Sequence, residues 1–187
     1  LIADMPYKSY TSKQQALDSA KQLIAAGADM VKLEGGERIL EIVSHLIEND
    51  IAVCGHLGLL PQSVEELGGY KVQGREQAAA DKMVDDALKL QQAGVDMIVL
   101  ECIPAILAKR ITDTIRIPTI GIGAGADCDG QVLVIYDLLG ITPGKRPRFT
   151  KDFVAEQPQG KGITDAIKAY VSAVKDGSFP AAEHTFN

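Results

Sequence analysis

The sequence predicts an α/β fold of successive βα units around a parallel sheet, the (β/α)8 barrel class. Three observations predict it. Short apolar runs alternate with helix-length amphipathic segments, and each helical segment leads within a few residues into the next apolar run. The apolar runs end in polar residues: Leu1-Ile2-Ala3 in Asp4, Met30-Val31-Lys32-Leu33 in Glu34, Ile51 to Gly55 in His56, and Met97 to Leu100 in Glu101. In parallel α/β folds, the carboxyl ends of the strands are where active sites are built.

Six strand-like runs are expected at 1–4, 29–34, 51–56, 96–101, 118–122 and 131–136. The first helix, 11–27, is capped by Thr11 or Ser12, buries a stripe of Ala16, Ala20, Leu23 and Ile24, and stops at Gly27. The second covers about 37–49, with Ile39, Leu40, Ile42, Val43 and Leu46 inward. A third runs from 76 to 93 and stops at Gly94; a shorter one, 104–114, begins with Pro104 near its first turn. A closed barrel takes eight strands and about 250 residues. Two βα units, roughly 60 residues by the same measure, are therefore expected to be absent from the N-terminal side.

Two stretches depart from the rhythm. Residues 57–75 form a long connection, expected to serve as a lid or binding loop, with Gly68, Gly69 and Gly74 as hinges. Residues 137–160 are rich in Gly, Pro and basic residues. A last helix, 162–175, leads into a tail ending at Asn187. The whole of 1–187 is expected to be one barrel domain, with the helix and tail 162–187 available to pack on a neighbouring subunit.

Composition narrows the function classes. The chain has 187 residues, 46% hydrophobic, enough for one buried core, and no apolar run long enough to span a bilayer. A net charge of −6 argues against a general nucleic-acid or membrane surface. Cys54, Cys102 and Cys128 are odd in number and lack C-x-x-C spacing, which points to reduced thiols and a cytoplasmic protein.

The candidate chemistry sits at the strand ends. Residues two apart in a strand share a face, so Lys32 and Glu34 point the same way. A lysine in a strand buried on both sides needs a partner. That partner is either a carboxylate, Glu34 or Asp4, or a substrate carboxylate beside a metal. Asp4 with Glu34 forms a hard-oxygen pair suited to Mg2+, which takes one or two carboxylates and completes its shell with water and substrate oxygens. Glu101 ends an apolar strand, where partial desolvation favours a general base; the competing possibility is a buried ion pair with Lys32. His56 is expected to bond a backbone carbonyl ahead of touching substrate. His45 and His184 carry no expected role. The glycines at 121, 123 and 125 are expected to form a tight turn that lets substrate approach the backbone.

LIADMP, GADMVKLEGGE, VCGHLGLLPQSV, GGYKVQGR, VLECIP and IGIGAG, in this order and spacing, closely resemble the ketopantoate hydroxymethyltransferase family, from Leu1 through Ala182-Glu183-His184. The resemblance implies a (β/α)8 barrel of the phosphoenolpyruvate-mutase/isocitrate-lyase group. It also implies Mg2+, 5,10-methylenetetrahydrofolate as co-substrate, the keto acid 3-methyl-2-oxobutanoate, and a homo-oligomer such as a decamer. By resemblance, Asp4 is a Mg2+ ligand that also touches the keto acid, Lys32 contacts the keto acid, Glu34 is a metal-site carboxylate, and Glu101 is the proton acceptor. The family's other metal Asp, in a Gly-Asp-Ser stretch, has no counterpart in these 187 residues.

The alternative activity is that of another Mg-dependent carbon–carbon lyase of the same superfamily, where a Cys-Gly-His follows lysines on a lid. Here Cys54-Gly55-His56 follows an apolar strand instead. A non-enzymatic assembly module is the third possibility. Lys71, Arg75, Lys145, Arg146 and Arg148 all follow strands, and are expected on the catalytic rim, where they could steer a folate polyglutamate tail.

Overall fold

A computed structural model describes residues 1–64, 69 and 71–187. Six strands form one parallel sheet in chain order: β1 (Ile2–Asp4), β2 (Met30–Glu34), β3 (Val53–Gly58), β4 (Met97–Glu101), β5 (Thr119–Ile122) and β6 (Gly130–Gln131). Four helices connect the first five: α1 (Lys13–Ala25), α2 (Leu40–Ile47), α3 (Gln77–Ala93) and α4 (Ala105–Thr114). Two more follow β6, the short α5 (Ile135–Leu138) and α6 (Ile163–Lys175). Strands that pair with their chain neighbours, each pair joined by a helix, are the wall of a (β/α) barrel.

The two faces of the strands are sorted by the period-two rule. Val31, Leu33, Ile98 and Leu100 are fully buried in the core that α1 to α4 cover. Their neighbours Lys32, Glu34, Met97, Val99 and Glu101 face the opposite side and line a cleft. Truncating a core residue such as Leu100 to Ala costs about 2–5 kcal/mol in comparable sites. The hydrophobic layer behind the sheet therefore fixes where the polar strand ends stand. Register completes the placement: Asp4 pairs with Lys32, Glu34 with His56, and Gly58 with Glu101.

The helices follow their sequence signals closely. Ser12 caps α1 by accepting from the Gln15 N–H, and Ala16, Leu17 and Ala20 are buried beneath it. The second expected helix opens as a 3-10 turn at Glu37–Ile39, and Asp86 of α3 accepts the otherwise unpaired Glu37 N–H at 3.0 Å. Pro104 caps α4 from just outside the helix.

One element differs. The run expected as a strand at 131–136 pairs only through Gly130–Gln131, and Ile135–Leu138 is helical. The sheet ends at β6 among the described residues; Val132 still donates its N–H to the Gly121 carbonyl of β5 at 3.0 Å, and beyond it Val134 and Tyr136 are exposed. Without a neighbouring strand, local helical bonds satisfy the backbone better than extension does.

The stretch 137–160 is packed rather than loose. Phe153 is 2% exposed and meets Tyr170 of α6 and Phe179 edge-to-face at 5.4 and 5.5 Å between ring centres, while Leu138 and Ala166 close the same cluster. In the long connection after β3, Gly68 lies outside the described residues, whereas Lys71 and Val72 sit on the cleft wall. No described helix is long and apolar enough to cross a membrane.

Candidate active site at the carboxyl ends of the strands

A cleft of about 1210 Å³ runs along the face of the sheet opposite the helices and reaches the carboxyl ends of the strands, and Asp4, Lys32, Glu34 and Glu101 all stand on its wall. Four polar residues, separated by nearly a hundred positions in sequence, thus meet in one place. Each closes a strand or stands two positions before its end, so sheet register does the gathering.

Lys32 takes Asp4 as its partner, with Nζ 2.7 Å from Oδ1. The lysine is largely buried while the Asp4 side chain is 60% exposed to the cleft. Glu34 is buried and accepts the Gln62 N–H at 3.1 Å. Burial pushes its carboxyl above the usual range, against the opposing pull of His56, the Gln62 N–H and Lys32. Gln62 is itself tied down: its amide donates to the Met5 carbonyl at 2.9 Å and accepts from the Tyr10 hydroxyl at 3.3 Å.

His56 does not bond a backbone carbonyl as expected. It is 1% exposed and sits between two carboxylates, Nε2 at 3.3 Å from Glu101 Oε2 and Nδ1 at 3.8 Å from Glu34 Oε1. Glu101 therefore meets His56 rather than Lys32. The reason is register: Glu34 and His56 are paired across β2 and β3, and Glu101 enters from β4 on the other side.

Gly58 makes that approach possible. Its φ is +96°, and a Cβ there would stand 2.1 Å from the Glu101 carbonyl oxygen, which already accepts the Leu59 N–H at 2.8 Å. Sequence reasoning missed Gly58 and Gln62, since neither type signals chemistry by itself. It also misread the glycine turn. At Gly123 the close approach is made by the Phe149 ring, which an added Cβ would meet at 2.9 Å, so a protein side chain and not substrate claims that space.

Burial pushes the Cys54 thiol up to about 11 and that of Cys102 to about 12, so both behave as packing residues rather than nucleophiles. Of the five expected rim cations, Lys71, Lys145, Arg146 and Arg148 line the cleft. Arg75 does not; it borders a separate, smaller depression with Gln77 and Arg110. Arg146 is paired to Asp152 at 3.0 Å. Arg148 donates to the Glu183 carbonyl and lies over the Phe186 ring, which anchors the C-terminal tail against the cleft.

The family model described as ketopantoate hydroxymethyltransferase matches residues 1–182. The chain belongs to this family. Among its relatives, the 3-methyl-2-oxobutanoate hydroxymethyltransferase of Paraburkholderia phytofirmans is 55% identical over 186 residues, covering 100% of this chain and 68% of that protein. The enzymes of the same description from Idiomarina loihiensis and Shewanella loihica are each 54% identical, with 69% and 70% of their lengths covered. Among solved structures, a phosphonopyruvate hydrolase aligns over 94% of this chain and 58% of its own, at 17% identity and a TM-score of 0.46. A putative phosphonomutase from Burkholderia cenocepacia aligns over 64% and 52%, at 14% identity and a TM-score of 0.47.

Proposed function

We propose that this chain transfers a hydroxymethyl group from 5,10-methylenetetrahydrofolate to 3-methyl-2-oxobutanoate, giving 2-dehydropantoate in pantothenate biosynthesis. The observation that carries this reading is the convergence of Asp4, Lys32, Glu34 and Glu101 on one cleft.

The donor set fits Mg2+. Among the described residues no three His, Cys, Asp or Glu side chains form a metal cage, but Mg2+ needs only one or two carboxylates beside water and substrate oxygens. Asp4, open to the cleft, would hold it, with Glu34 as the second carboxylate. When bound, Mg2+ supplies a Lewis acid that stabilises negative charge on the keto-acid oxygens.

The chain's own groups do the rest. The Lys32 ammonium anchors the substrate carboxylate. Water adds to the folate methylene carbon and both of its C–N bonds break, releasing tetrahydrofolate and a one-carbon aldehyde. Glu101 removes the C3 proton, the resulting carbon nucleophile adds to that aldehyde carbon, and the aldehyde oxygen takes up a proton to become the new hydroxyl. The apolar wall of Val99, Ile122 and Phe149 takes the isopropyl group and excludes bulk water. The alternative lyase would need Cys54 and His56 on a lid, whereas both lie within β3.

Self-association and a cytoplasmic location belong to the same reading. Ile163, Ile167 and Val171 recur at every fourth position on α6 and are all exposed, an apolar stripe suited to a neighbouring subunit of a homo-oligomer such as a decamer.

The deciding experiment is deuterium exchange at C3 of 3-methyl-2-oxobutanoate in D2O with Mg2+. Glu101→Gln is expected to lose exchange by at least about 100-fold, the usual contribution of a general base, with keto-acid binding retained. Undiminished exchange would remove Glu101 from this role.

A further inference from the structure

Among the described residues, His56 is the buried side chain with two unsatisfied polar atoms. Both ring nitrogens are buried and neither has an aligned hydrogen-bond partner among the described residues. Buried polar groups are rarely left so, and the exceptions call for an explanation. The two nitrogens are not equivalent. Nε2 stands 3.3 Å from Glu101 Oε2, within reach of a hydrogen bond after a small rotation, whereas Nδ1 is 3.8 Å from Glu34 Oε1. Hydrogen bonds in sites of this kind are often poorly aligned until substrate is present.

Glu101 itself is placed by little else. Among the described residues its carboxylate forms an ion pair with His56, while its backbone is gripped through the carbonyl by the Leu59 N–H. The backbone is thus fixed, and His56 is the group placed to orient the carboxylate.

We propose that His56 is a positioning residue for Glu101: its Nε2–H donates to Oε2, holding the carboxylate plane so that the other oxygen faces C3 of the substrate. His56 does not touch the substrate and acts only through Glu101. This inference rests on Glu101 being the base, and its failure is separable from failure of that assignment. Misplacement by about 1 Å can cost a reaction about 100-fold without any loss of binding.

Two measurements test it. The first needs no activity. The chain has three histidines, so 15N-histidine labelling gives three ring systems to assign by NMR. His56 is expected to carry a proton on Nε2, and Glu101→Leu to shift that proton's resonance. A ring protonated on Nδ1 alone, or an Hε2 resonance indifferent to Glu101→Leu, overturns the proposal. The second is C3 exchange at saturating keto acid. His56→Leu is expected to lose about 100-fold with keto-acid affinity retained. His56→Gln, whose amide keeps an N–H donor, should recover about tenfold of that loss. Equal loss in both variants, or none in His56→Leu while Glu101→Gln is inactive, sinks the positioning role alone. Full exchange in Glu101→Gln sinks the base assignment and this inference with it.

Discussion

Lys32 reaches from β2 to β1 and sets its Nζ 2.7 Å from Oδ1 of Asp4. One carboxylate thereby serves two cations, the lysine and the proposed Mg2+. Removing the lysine charge with Lys32→Met should weaken keto-acid binding by about 10- to 100-fold, the value of a hydrogen bond to a charged group. It should also tighten Mg2+, because Asp4 loses its competitor. Titration calorimetry of each ligand checks this, and a loss of affinity for both would contradict the shared-carboxylate arrangement.

Asp4 should be the residue on which the cation depends most. Asp4→Asn keeps the shape and an acceptor while deleting the charge, so Mg2+ affinity should fall by at least about tenfold. Equilibrium dialysis with the metal alone gives the answer. Unchanged affinity would place the cation elsewhere.

Glu34 makes a prediction about pH. Burial raises its folded-state pKa. Its contribution to stability is therefore fully present below the unfolded carboxyl value of about 4.3 and is lost as pH rises through the folded value. Glu34→Gln keeps an acceptor for the Gln62 N–H without a charge to bury. The variant should melt at a higher temperature than the parent near neutral pH, with the difference closing towards pH ~4. Melting curves across pH in the presence of chelator measure it; a gap independent of pH would mean that desolvation of Glu34 is not the cause.

Gly58→Ala should damage both stability and chemistry. The left-handed backbone and a Cβ 2.1 Å from the Glu101 carbonyl oxygen leave no room. A loss of more than about 1 kcal/mol is expected, together with slower C3 exchange as β3 and β4 separate. Chemical denaturation and the exchange assay read the two effects. A variant as stable as its parent would show that the strands approach less closely than described.

On the rim, Lys71 and Lys145 are better probes of folate binding than Arg146 or Arg148. The arginines also hold Asp152 and the C-terminal tail, so reversing them disturbs the wall itself. The double change Lys71→Glu with Lys145→Glu should raise KM for polyglutamylated folate more than for the monoglutamate, most clearly at low salt. An equal rise for both substrates would rule out a role in binding the tail.

Much of this was legible along the chain because the signals are local. Apolar runs, caps such as Ser12 and stops such as Gly94 depend on residues a few positions apart. The alternation of Val31, Lys32, Leu33 and Glu34 already assigns each to a face. Register was not legible, because it depends on how separate units pack. Only the tertiary structure gave Lys32 to Asp4, put His56 between Glu34 and Glu101, and turned Gly123 towards Phe149. It also made a helix of Ile135–Leu138, since an extended run becomes a strand only where another strand lies beside it. The sequence by itself determined the units, their order and the residues that end them. The packed sheet decided which of those ends touch, because contacts between distant segments follow from the core that holds the strands in register.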